Sequence, residues 1–154
     1  MSQNTEPHVE KIDAMFVQIA RGMSSSYRSL TLHGLSPLTL FVSGGPQRVV
    51  GQLQTKEFVD QWGEGENSFA DDPPNAVVAF LGEGDTVPQE AVVVLNYPQL
   101  DGDTLSYTVD VLDGDLPARA GSCSLFIDPI GRPLTPRSVA AVRRRERRRM
   151  YRRM

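Results

Sequence analysis

Residues 100–115 read LDGDTLSYTVDVLDGD, and this stretch decides the fold. Between its two Asp-Gly-Asp triplets, Leu105, Tyr107, Val109 and Val111 alternate with Ser106, Thr108 and Asp110. A period of two puts one set on each face of a strand. Asp-Gly closes tight turns, so each triplet is expected to end a strand. A calcium loop would need ligands at alternate positions and a closing Glu within one loop, and neither triplet has them. No metal site is expected.

Working outward, the same signals recur. Ser29–His33 alternates, Leu38–Val42 is an apolar block, and Val49–Leu53 is a weaker one. Ala76–Leu81 and Ala91–Leu95 are near-continuous apolar runs, the kind buried on both faces. Ser124–Ile127 closes the series. One helix is expected at 55–62 in TKEFVDQWG, with Thr55 as N-cap, Phe58, Val59 and Trp62 on one face, and a left-handed Gly63 ending it. The segment 14–22 stays open between two forms. Ile12, Met15, Phe16 and Ile19 fit helical spacing, whereas Met15, Val17 and Ile19 alternate as in a strand. The count and spacing of strands predict an all-β domain: a two-sheet antiparallel, immunoglobulin-like sandwich of about seven strands with one short helix. It occupies 14–136, between an N-terminal extension (1–13) and an Arg-rich tail (137–154).

The chain has 154 residues and a net charge of −3 that conceals an asymmetry. The tail ends in VRRRERRRMYRRM, with Arg143, Arg144, Arg145, Arg147, Arg148, Arg149, Arg152 and Arg153. With Arg137 and Glu146 counted, residues 137–154 carry +8, which leaves −11 on the rest. Between Val49 and Ala118 the only cation is Lys56. An acidic body repels a duplex, and Tyr151 is the tail's only aromatic, so specific nucleic-acid recognition is disfavoured; non-specific binding through the tail is the weaker alternative. The tail is expected instead to meet acidic protein surface, its own or a partner's, through many weak salt-sensitive pairs. No apolar run is long enough to span a membrane. The first thirty residues show no secretory leader, and a cytoplasmic location is expected.

Catalytic signals are thin. The Gly-rich stretches at 43–46, 63–67 and 82–85 lack nucleotide-binding spacing, and two of them are acidic. His8 and His33 stand without metal-ligand partners. Cys123, the single cysteine, sits in the apolar CSLFI and reads as an inert buried thiol. No cofactor is expected. Two segments are richer: NSFADDPPNAVVAFL, where Asp72 and Asn75 precede a buried strand, and CSLFIDPIGRPLTP, where Asp128 ends one and Arg132 follows a turn. Strand-end loops carry binding sites in such folds, so Trp62, Asp72, Asn75, Asp128 and Arg132 are the candidate ligand-binding residues.

These segments also carry a resemblance. FVQIARG (16–22), LTLHGLSPLTLFVS (30–43), FVDQWGEGENSFADDPPNAVV (58–78), VVVL (92–95), LDGDTLSYTVDVLDGDLP (100–117) and SLFIDPIGRPLTPRSVAAVRRR (124–145) cover most of the chain. Together they resemble a functionally uncharacterised family of small bacterial β-rich proteins. The resemblance favours a strand for FVQIARG and implies that a basic C-terminal end belongs to the design, but it implies no activity. Relatives in that family carry Ser-Asp-Arg-Pro where this chain has Ser43-Gly44-Gly45-Pro46, which removes a charged pair. Some also carry an export leader.

The functional expectation is a non-catalytic binding or interaction module, self-associating into a homo-oligomer, its Arg-rich tail against acidic protein surface. The alternative is a cofactor-free enzyme whose apolar pocket takes a hydrophobic small molecule.

Overall fold

The computed structural model describes residues 14–43, 48–65, 68–82 and 87–128. Arg132 and the tail arginines lie outside these residues. Among the described residues there are eight strands and one helix: β1 Ala14–Ser26, β2 Ser29–Leu35, β3 Leu38–Ser43, β4 Val49–Gln54, α1 Thr55–Asp60, β5 Asn75–Gly82, β6 Pro88–Asp101, β7 Thr104–Asp113 and β8 Arg119–Asp128. The open segment 14–22 is therefore strand. The turn expected at 101–103 is present: Asp101 pairs with Thr104, and Gly102 takes φ 63° in the two-residue loop.

The sandwich is not what forms. All eight strands belong to one sheet in the order β2-β7-β6-β5-β8-β1-β3-β4, and a further β1–β2 pairing closes six of them into a barrel. The closure comes from β1, which is 13 residues long and has three partners. On one side it pairs β8 from Phe16 to Ser24; on the other, Ala14–Val17 pairs β3 while Ala20–Ser26 pairs β2. The sheet forks there: β2 continues round the barrel, and the β3–β4 hairpin leaves it as a wing. The 14-residue β6 bends around the opposite side, its register shifting at Val92/Val93 and between Asn96 and Gln99, as bulges do to a curling strand. Both architectures alternate inward and outward residues along each strand, so the expected strand count was compatible with either.

The barrel interior is packed with side chains. Phe16, Leu30, Leu32, Val78, Val93, Leu95, Leu105, Tyr107, Leu125 and Ile127 are all at most 4% exposed and form one cluster. The fork is filled by polar groups. Tyr107 donates its hydroxyl hydrogen to Gln18 Oε1 (2.8 Å), and Gln18 Nε2 donates to Thr39 Oγ1 (3.3 Å). The Thr39 and Thr55 hydroxyls meet at 2.8 Å, and Thr55 donates to the Ser36 carbonyl at 3.0 Å. Each member of this buried chain has a partner, which removes the desolvation cost that an unpaired group would carry.

Six aromatic rings seal one barrel end. Phe58 and Trp62, from α1 and the turn after it, join Phe69, Phe16, Phe41 and Tyr107, with neighbouring centroids between 4.9 and 6.3 Å. The helix is shorter than expected, and its N-cap is Gln54, which makes no side-chain cap bond. Thr55 is inside the helix because its hydroxyl is committed to Ser36 and Thr39. The left-handed glycine after the helix is Gly65 (φ 84°), not Gly63.

Candidate interaction surface

A barrel strand with water outside should alternate apolar inward and polar outward. The β2–β7 wall does so. Outside it stand Ser29, Thr31 and His33, then Ser106, Thr108 and Asp110; Thr31 and Ser106 hydroxyls meet at 3.2 Å, and Arg28 pairs with Asp110 at 3.0 Å.

The wall carrying the fork breaks the rule. Phe16, Gln18 and Ala20 of β1 face the interior, yet the outward Met15, Val17 and Ile19 are apolar too. Following Val17 sideways through the registers gives Leu40 on β3, Phe126 on β8, Val77 on β5 and Val92 on β6. This is an apolar row across five strands on the outside of the barrel. Exposure rises along it from 5% at Val92 and 8% at Val77 to 37% at Leu40. Exposed apolar side chains flank its wing end: Leu38 at 41%, Ile19 at 47% and Val50 at 68%. No residue of 14–20, β3 or β4 is charged, although the body around them is strongly acidic. Among the described residues β4 pairs only with β3, in unbroken register, so its outer edge is open. It has no Lys, Pro or bulge, the usual protections of an exposed edge.

The sequence candidates lie elsewhere or at the rim. Asn75 and Asp128 are brought together as cross-strand partners, both half-buried, on the outward face two residues beyond Val77 and Phe126. Asp72 sits in the preceding turn, its N–H donating to the Ser68 carbonyl at 2.9 Å. Trp62 is 6% exposed and packs in the core, its ring tilted against Phe69 and Tyr107. Burial likewise pushes the Cys123 thiol up to about 11, in keeping with an inert buried cysteine.

Among the described residues a cleft of about 1020 Å³ lies between α1, the β2–β3 link and the β6–β7 turn. Neither it nor the two shallower hollows on the barrel is lined by Trp62, Asp72, Asn75 or Asp128. Among the described residues no three His, Cys, Asp or Glu side chains stand together as a metal site, and no helix is long and apolar enough to cross a membrane.

No protein-family model, curated protein or solved structure matches the chain. Function therefore has to be argued from its own surfaces. The outer wall was missed because its residues come from five strands. One local signal was present: Ala14–Ala20 is apolar at six of seven positions, the pattern of a strand covered on both faces.

Proposed function

We propose that this protein is a non-catalytic interaction module that self-associates, two copies meeting through the uncharged wall and wing formed by residues 14–20 of β1 with β3 and β4, beside the exposed Arg21. The observation that carries this reading is the outward apolar row, with Ile19, Leu38, Leu40 and Val50 exposed at its wing end. Contiguous exposed apolar surface marks interaction sites. A second copy fits better than a charged partner, because two acidic bodies can approach without repulsion only where the surface bears no charge. The Arg-rich tail supports the same reading: +8 per chain offsets much of the −11 that assembly brings together.

The test is sedimentation velocity over roughly 1–100 μM, a range chosen to bracket an association of about −8 kcal/mol. The wild type is expected to shift to a larger species with concentration. An Ile19→Lys/Leu40→Lys variant is expected to stay monomeric with an unchanged thermal midpoint, since both side chains point away from the core. A wild type that remains monomeric throughout would remove the proposal.

A further inference from the structure

We propose that the cleft beside α1 binds an amphipathic carboxylate, its apolar body along Leu35, Val59 and Leu100 and its carboxylate on Arg21. The cleft is assembled from three distant parts of the chain, and its floor is mostly apolar. Leu35 is 5% exposed, and Val59 and Leu100 pack against the core from the cleft side. A volume near 1000 Å³ suits a ligand rather than a few waters.

Arg21 is the group that a ligand carboxylate would meet. Two of the five Lys or Arg among the described residues, Arg21 and Lys56, line this cleft together with the carboxylates they pair with, Asp103 and Asp60, so the lining is balanced in charge. Elsewhere the body is acidic. Each cation rests on an exposed carboxylate: Arg21 on Asp103 at 3.8 Å and Lys56 on Asp60 at 3.2 Å. Exposed pairs of this kind are weak, and the long Arg21 contact is the easier to exchange for a ligand carboxylate.

Arg21 is also seated by the backbone. Gly34 has φ +64°, and a Cβ built on it would lie 2.5 Å from Arg21 Nε. The absent side chain at 34 therefore leaves the space that the guanidinium occupies at the cleft's edge. Glycine serves two purposes there, the left-handed turn and the berth for Arg21.

The probe is dodecanoate, kept below its micellar range and titrated calorimetrically into the full chain, with dodecanol as the uncharged counterpart. Saturable binding of dodecanoate is expected, at least about tenfold weaker for dodecanol and for Arg21→Gln. Val59→Glu, which puts a negative charge into the apolar floor, should abolish it. A Val50→Lys variant, charged on the association face but outside the cleft lining, should bind like the wild type, so this site and self-association fail or stand separately. Absence of saturable binding, equal affinity for dodecanol, or indifference to Arg21→Gln with its fold intact by circular dichroism would each overturn the proposal.

Discussion

Tyr107 gives its hydroxyl hydrogen to Gln18 Oε1 at 2.8 Å inside the barrel, and both residues are 1% exposed. This bond joins β7 to the point where β1 changes partner from β3 to β2. The low-dielectric setting makes the bond strong and its loss costly; burial also drives the Tyr107 hydroxyl far above its ordinary range, with the Gln18 bond opposing in part. Tyr107→Phe should cost about 1–3 kcal/mol, because Gln18 keeps a buried acceptor without its donor. Adding Gln18→Leu should cost less than the sum of the two single changes. Denaturant unfolding of the four-member cycle measures this coupling.

The same burial sets an alkaline limit. The Cys123 thiol titrates near 9 when unfolded and at about 11 in the fold, so the native state holds the proton more tightly. Its contribution is fully present below pH 9 and is lost as pH rises through 11. Stability should therefore fall across that window, and Cys123→Ala should flatten part of the fall. At neutral pH the native thiol should react with a disulfide reagent far more slowly than the denatured one.

Two glycines separate packing from backbone effects. A Cβ on Gly51 would stand 2.5 Å from Phe41 Cζ, because the ring lies over its cross-strand neighbour. Phe41 is 7% exposed and contacts Phe16, so it has little room to yield. Gly51→Ala should cost about 1–3 kcal/mol by overpacking. At Gly22 the nearest atom is 3.6 Å away and φ is not positive, so Gly22→Ala should be neutral or slightly stabilising. Thermal melts of the two variants check the contrast.

Trp62 closes the aromatic end and is the only tryptophan. Trp62→Ala should cost about 3–5 kcal/mol, a large-to-small change in a packed site. In the wild type its buried indole should shift its emission to longer wavelength in one transition, coincident with the loss of circular dichroism.

The tail should act through charge. Deleting residues 143–154 should lower the thermal midpoint or weaken association at low ionic strength. About 0.5 M salt should erase the difference, since exposed pairs are screened within a few ångströms at that concentration. An unchanged midpoint and unchanged association at low salt would rule out the tail's proposed role.

Strand positions were legible where alternation is local. Leu105–Asp110 and Ser29–His33 stand as read because one face is core and the other is wet, whereas Val111, read with the core face, is exposed. The second half of β6, Asn96–Asp101, gave no such sign: Pro98 interrupts it, and Tyr97 sits at φ 49° between shifted registers. Barrel closure was invisible for a different reason. It depends on β1 pairing with three strands, and the contacts from Ala20 to Leu35 and to Cys123 are long-range. Trp62, Phe58 and Val59 were read as one helix face, but only tertiary packing shows that Trp62 belongs to the barrel plug while Val59 borders the cleft. Arg21, Leu35, Val59 and Asp103 carry no shared local pattern, so the cleft could not be read from sequence. Asn75 and Asp128 were found as strand ends, yet their meeting at the rim of the wall follows from a register that no single segment encodes.

In the proposed assembly the wing and wall exclude water by meeting a second copy. Native mass spectrometry of the wild type beside Ile19→Lys/Leu40→Lys tests it most directly, because it counts subunits in each preparation. A dimer or larger closed assembly is expected for the wild type and a folded monomer for the variant. A wild type that is monomeric, or a variant that assembles as the wild type does, would contradict it.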